Sequence, residues 1–198
     1  SVVVPSFNDK DIILPFYEAI KRVLESDDRF GYEIVYVDDG SSDGSQQTLA
    51  SLAEQDSRVV YVELYRNFGQ QKALFAGLSV SKGDYVVTLD GDYQYDPDVI
   101  LSLVSAMGTT YDMASGIRIR RKGSFFEKWS SAMGNAIIQK ILGITIQDFG
   151  SVKAFSRPLV ERILSLKHFY SDVYPTALSL GPSLVEIPVA HKERPSGT

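Results

Sequence analysis

The chain has 198 residues, 44% hydrophobic and 23% charged, with a net charge of −5 and no cysteine. That composition supports one globular core and excludes a disordered chain, a disulfide scaffold and a thiolate metal site. The acidic balance argues against nucleic acid as a partner. No apolar run reaches the roughly 18 residues that a membrane span needs, and no signal peptide is visible.

The opening "SVVVP" is a β-branched strand closed by Pro5. "NDKDIILPFYEAIKRVLES" keeps helical spacing at Ile13, Phe16, Ile20 and Val23, with Asn8, Asp9 or Asp11 as N-cap. "YEIVYVDDGSSDGS" is a strand entering a Gly/Ser/Asp turn, followed by a helix through Leu49 and Leu52. "VVYVEL" is a third strand, and "QQKALFAGLSVSKG" a helix ended by Gly83. "DYVVTLD" is a fourth strand, and "PDVILSLVSAM" a helix with proline in its first turn.

Alternating strands and helices predict an α/β fold, an open and mostly parallel sheet with helices on both faces. In such sheets ligands sit beyond the carboxyl ends of the strands. Four polar clusters fall there: "SFND", "DDGSSDG", "RNFGQQK" and "DGDYQYD".

The second half is less regular. "YDMASGIRIRRKG" reads as a strand and a basic loop, and "SFFEKWSSAMGNAIIQKILG" as a helix with Phe125, Trp129, Met133, Ile137 and Ile141 on one stripe. With Phe126 and the flanking Arg120, Arg121, Lys122 and Lys128, that helix suits either the core or a membrane surface. "SVKAFS" and "SLVEIPV" are further strands with helices between them. His168 and His191 are isolated, and no Ser-His-Asp pattern, P-loop or Rossmann glycine fingerprint occurs. A single domain, 1–198, is expected, with a first half over about 1–115 and a second half over about 116–198. Both ends read as cut, so membrane segments after Thr198 are expected.

Side chains at i, i+2 and i+4 of a strand face the same way. Asp90, Asp92 and Gln94 therefore converge if the strand geometry persists, and an all-oxygen set of this kind suits Mg2+ or Mn2+. The plain alternative is a solvated turn before a helix.

At these residues the chain resembles glycosyltransferase family 2, inverting enzymes of the GT-A fold. "VVVPSFND" is similar to the family's opening strand and donor loop, and "VDDGSSDGS" to its nucleotide-binding strand end. "RNFGQQKALFAGLSVSKGDYVVTLDGDYQYDP", "QDFGSVKAFSR" and "HKERPSGT" resemble the branch holding dolichol-phosphate mannose synthases and undecaprenyl-phosphate sugar transferases. Phe7 and Asp9 stand where that family often has Tyr and Glu, and Gly91 and Tyr93 where Ala and Leu are commoner.

The resemblance implies a metal-dependent transfer of sugar from a UDP- or GDP-sugar to a polyprenyl phosphate. It places Pro5, Phe7 and Asp9 in the nucleoside pocket, Asp39 on base or ribose, and Asp38, Ser41 and Gly91 nearby. Arg66 and Lys72 would meet phosphates or shape the sugar pocket. Asp90, Asp92 and Gln94 would hold the metal, and Asp148 would act as base or orient the nucleophile. Arg118, Arg121 and Arg194 would grip the acceptor phosphate, since arginine forks suit phosphate oxygens. The expected location is the cytoplasmic face of a membrane. A sugar hydroxyl as acceptor and a non-catalytic nucleotide-sugar-binding module are the alternatives; oligomeric state stays open, a homo-oligomer included.

Overall fold

A computed structural model describes residues 1–118, 152–166 and 172–190. The elements run β1 (Val2–Ser6), α1 (Lys10–Glu25), β2 (Ile34–Asp38), α2 (Ser45–Gln55), β3 (Val59–Glu63) and α3 (Gln70–Val80). They continue with β4 (Tyr85–Thr88), α4 (Val99–Met107), β5 (Met113–Arg118), β6 (Lys153–Ser156), α5 (Arg157–Ser165), α6 (Val173–Ser179) and β7 (Leu184–Val189).

The strands form one seven-stranded sheet in the order β3-β2-β1-β4-β6-β5-β7. All neighbouring pairs are parallel except those made by β6, which runs antiparallel to both β4 and β5. Two reversals restore direction, so β5 and β7 run parallel to β1. The strand order turns around at β1, with β2 on one side and β4 on the other. A crevice opens at such a switch point, because the chains leaving the two strands diverge to opposite faces of the sheet.

Side-chain alternation splits the core into two layers. Val2, Val4, Ile34, Tyr36, Val87 and Leu89 pack under α1, α2 and α4. Val3, Val35, Val37, Val86, Met113 and Phe155 pack under α3, α5 and α6. Near-continuous apolar strands are what a sheet covered on both faces requires.

Local boundaries differ from the sequence reading in three places. The buried stripe of α1 is Ile13, Phe16, Tyr17, Ile20 and Leu24, with Val23 only half-buried. Position 24 is the one that lies i+4 from Ile20, so it and not Val23 faces the sheet. Helix α3 stops at Val80, where Ser81 turns extended, so Gly83 does not cap it. Pro97 lies in the turn ahead of α4 rather than within it, and its carbonyl accepts the Ile100 N–H at 3.0 Å.

Gly77 sits in the middle of α3, where glycine costs about 1 kcal/mol against alanine. A Cβ there would stand 2.3 Å from Val3 Cγ1 and 3.1 Å from Val37 Cγ2. The helix therefore lies directly on β1 and β2. Gly77→Ala is expected to lower stability by about 1–3 kcal/mol through overpacking, despite its better helix propensity. Urea unfolding measures it; an unchanged or raised midpoint would contradict the close approach.

Candidate active site

The tips of β1 to β4 enclose a cleft of about 400 Å3. The β1 loop lines it with Pro5, Ser6, Phe7 and Asp9, and β2 with Asp39. The start of α3 adds Asn67, Gly69 and Gln70, and the β4 loop adds Asp90, Gly91 and Asp92.

The first two loops are clamped together. Asn8 adopts a left-handed φ of 55°, which asparagine tolerates better than most residues. Its N–H donates to Ser41 Oγ at 2.8 Å, and its Oδ1 accepts the Ser42 N–H at 2.8 Å. Ser45 Oγ accepts the Asp9 N–H at 3.1 Å, and Asp43 accepts the Lys10 N–H at 3.0 Å. Asp9 in turn receives the Phe7 N–H at 3.0 Å, so the loop is held open with Phe7 43% exposed along the cleft.

Asp39 fastens the third loop. It is 3% exposed, and its carboxylate accepts the Phe68 N–H at 2.7 Å and the Gly69 N–H at 2.8 Å. The backbones meet closely beside it: at Gly40, φ 73°, a Cβ would lie 2.5 Å from the Arg66 carbonyl carbon. Only glycine fits that contact and that dihedral.

The fourth loop departs from strand geometry. Strand β4 ends at Thr88, and Asp92 Oδ1 accepts the Gln94 N–H at 3.1 Å, folding the chain back as an Asx turn. Tyr93 takes a left-handed φ of 58° and packs edge-on against Phe16 at 4.8 Å. The i, i+2, i+4 convergence thus stops after Asp92, and Gln94 does not line the cleft. Asp90 is steadied by Gln70, whose Nε2 donates to Oδ1 at 2.5 Å. A Cβ on Gly91 would meet only ordinary contacts, Val4 Cγ1 at 3.5 Å and the Pro5 oxygen at 3.6 Å. The protein alone therefore does not demand glycine there.

The cleft so unites Pro5, Phe7, Asp9, Asp39, Asp90, Gly91 and Asp92 from the sequence reading. Asp38 is fully buried and spends its carboxylate on Ser41, accepting its N–H at 3.0 Å and its hydroxyl as well; neither residue lines the cleft. Arg66 is exposed and stacks on Phe68 at 4.8 Å, while Lys72 lies over Phe75 at 6.0 Å; both stand outside the lining. Arg118 ends β5 at the same edge of the sheet, exposed. Asp148, Arg121 and Arg194, the aromatic helix and both histidines lie outside the described residues. The sequence reading takes Asn8 only as an N-cap candidate and gives Asn67, Gln70, Asp43 and Ser45 no site role, although a polar run bordering a helix start is the available signal for each.

Asp90 and Asp92 bring two carboxylates to one wall of the cleft. Among the described residues no group of three or more His, Cys, Asp or Glu forms a protein cage for an ion. Mg2+ and Mn2+ accept one or two carboxylates and fill the remaining positions with water and phosphate oxygens. The donor set, all oxygen and incomplete, fits an ion shared with a bound diphosphate. The opening turn of α3 also lines the cleft, and helix N-termini favour anions.

Comparison with known proteins places these features in a wider set. The family model described as "Glycosyl transferase family 2" matches residues 1–164. An undecaprenyl-phosphate 4-deoxy-4-formamido-L-arabinose transferase of Edwardsiella ictaluri is 40% identical over 201 residues, covering 100% of this chain. This chain spans 61% of that relative's length. A mannosyltransferase of Pyrobaculum calidifontis, solved with GDP-Man and Mn2+, superposes with a TM-score of 0.67 at 22% identity, over 98% of this chain and 56% of its own. Glucosyl-3-phosphoglycerate synthase of Mycobacterium tuberculosis, solved with Mn2+, UDP and glucosyl-3-phosphoglycerate, gives 0.63 at 22% identity, over 98% and 72%. The sheet and its helices are those of the GT-A fold.

Proposed function

The chain belongs to glycosyl transferase family 2, and on that premise we propose that it moves a sugar, with inversion and with the help of Mg2+ or Mn2+, from a nucleotide-diphosphate donor to a polyprenyl phosphate. The observation that carries this reading is the convergence of Phe7, Asp39, Asp90 and Asp92 on one cleft at the switch point of the sheet.

The cleft is lined by one aromatic side chain, Phe7, and by the carboxylates of Asp9, Asp39, Asp90 and Asp92. Phe7 offers a face for the nucleobase, and Asp39 keeps the β3–α3 loop in place beside it. Asp90 and Asp92 would hold a divalent ion, which when bound neutralises charge growing on the leaving diphosphate. Gln70 keeps Asp90 turned to the cleft. In the transfer the bond from the anomeric carbon to the diphosphate oxygen breaks, and one from that carbon to the acceptor oxygen forms on the opposite face. A phosphate monoester has a second pKa of about 6 and is mostly dianionic at pH 7, so its oxygen attacks without a proton being removed. Arg118, at the β5 tip, is the described cation placed to draw such an acceptor to the sheet edge. Asp148, Arg121 and Arg194 complete the acceptor side in this reading.

The undecaprenyl-phosphate relative supports a lipid acceptor and hence work at a membrane surface; in this reading that work is on the cytoplasmic face. Among the described residues no helix is long and apolar enough to cross a membrane.

Thermal unfolding with a panel of UDP- and GDP-sugars and Mn2+ tests the donor half. A cognate donor at 100 times its Kd stabilises by about 2.7 kcal/mol, a rise of roughly 5–10 °C for a chain this long. Transfer of that donor's sugar to undecaprenyl phosphate tests the acceptor half. No stabilisation by any donor would overturn the reading; binding followed by transfer only to sugar hydroxyls would overturn the acceptor.

A further inference from the structure

Strand β6 carries a lysine where its neighbours are apolar. Lys153 is 4% exposed, between Val152 at 0% and Ala154 at 0%. Burying an ammonium costs several kcal/mol unless the surroundings compensate. The surroundings here are polar on one face. Lys153 pairs with Thr88 of β4 and with Ser115 of β5, and Ser115 pairs with Glu186 of β7. Thr88 and Ser115 are themselves buried, at 3% and 0%. The Lys153 Nζ lies 4.0 Å from the ring centroid of Tyr174 in α6, a desolvated cation–π contact.

That contact is one end of a continuous path into the cleft. Tyr174 follows Val173, whose N–H donates to Gln71 Oε1 at 3.0 Å. Gln71 adjoins Gln70 in the first turn of α3, and Gln70 donates to Asp90 at 2.5 Å. Thr88, the partner of Lys153 across the sheet, stands two residues before Asp90 on β4. A leucine at 153 would fill the same space at no desolvation cost but would remove the contact between the ammonium and the Tyr174 ring.

We infer that Lys153 is a positioning residue: through Tyr174 and α6 it holds the first turn of α3 so that Gln70 keeps Asp90 aimed into the cleft. The role rests on the proposed function for its consequence, diphosphate binding, but not for its geometry. Removing the charge frees α6 to shift on the sheet, Gln71 loses Val173, and the Gln70–Asp90 bond loosens. The ion and diphosphate end of the cleft then loses preorganisation while the base end, held by Asp39, stays as it is.

Five proteins test it: wild type, K153M, K153R, Y174L and the K153M/Y174L double variant, which closes a cycle. The first readout needs no ligand. The side-chain amide resonance of Gln70, assigned by NMR, is expected to move towards its solvent-exposed position in K153M and Y174L and to return in K153R. The second is calorimetry with UDP and with GDP, each with Mn2+. K153M is expected to weaken the binding nucleotide by about tenfold, or 1.4 kcal/mol. The double variant should be no weaker than the worse single one, because both remove one contact.

An unmoved Gln70 resonance in K153M, or additive losses in the double variant, would overturn the inference. Should K153M fail to fold, Y174L decides: a shifted Gln70 signal with weakened nucleotide supports the path, and an unchanged one refutes it. Should wild type bind neither nucleotide, the functional reading fails, while the ligand-free signal still judges Lys153.

Discussion

Asp92→Asn is expected to keep the fold and lose turnover. The substitution is nearly isosteric. An asparagine Oδ1 can still accept the Gln94 N–H now held at 3.1 Å, so the Asx turn survives. Tyr93 keeps its edge contact with Phe16, which pins the loop to α1. What disappears is one negative charge facing the cleft. If that charge helps to hold a divalent ion against the leaving diphosphate, its loss removes stabilisation that matters most in the transition state. Losing one preorganised electrostatic group typically costs about 10²–10³ in kcat. Nucleotide diphosphate release, followed against Mn2+ concentration, measures the effect. A rate within about threefold of wild type, which is below 1 kcal/mol, would remove Asp92 from the chemistry. The melting temperature serves as control, since an altered turn would lower it and an altered charge alone would not.

Asp39→Asn should act on stability and on nucleotide binding together. The wild-type carboxylate serves two backbone donors, the Phe68 and Gly69 N–H groups, from a position only 3% exposed. An amide has one oxygen. Its NH2 group would face the second N–H, leaving that donor unmet and adding a donor–donor clash. An unsatisfied buried group costs about 1–3 kcal/mol, and bonds to a charged acceptor stand at the upper end of that range. A loss of about 2 kcal/mol lowers Tm by roughly 4–8 °C in a chain of this size. Because Asn67, Gly69 and Gln70 all line the cleft, the freed loop should also weaken nucleotide affinity. Asp38→Asn supplies the contrast. Asp38 bonds Ser41 within one turn and does not line the cleft, so its variant should lose stability with a smaller change in binding. Equal binding losses in the two variants would mean that general loosening of the strand end, and not release of the loop that Asp39 holds, carries the effect.

The behaviour of these carboxylates shows where linear reasoning suffices. Asp38 and Asp39 are adjacent and chemically identical in the sequence, and the motif assigns both to nucleotide binding. Strand alternation sends them to opposite sides of β2's end, one into a buried turn and the other to the cleft wall. At β4 the failure is different. Period-two convergence of Asp90, Asp92 and Gln94 holds only while the backbone stays extended, and the left-handed Tyr93 ends it. Tyr93 is held there by Phe16, a residue 77 positions earlier, and no local pattern reports such a contact.

Strand and helix periodicity, glycine-rich turns and the apolar runs determined the α/β class, the order of most elements and the crowding of polar residues at the strand ends. These are local properties, set by side-chain spacing and backbone preference over a few residues. Tertiary structure alone decided that β6 runs antiparallel, that β1 and β4 flank the cleft, and that Asp39 rather than Asp38 forms its wall. It also decided that Lys153 lies buried against Tyr174. Each of these depends on which distant segments pack together. That choice comes from burying two apolar faces of one sheet while pairing most of the polar groups left inside, a condition on the whole chain that no short stretch contains.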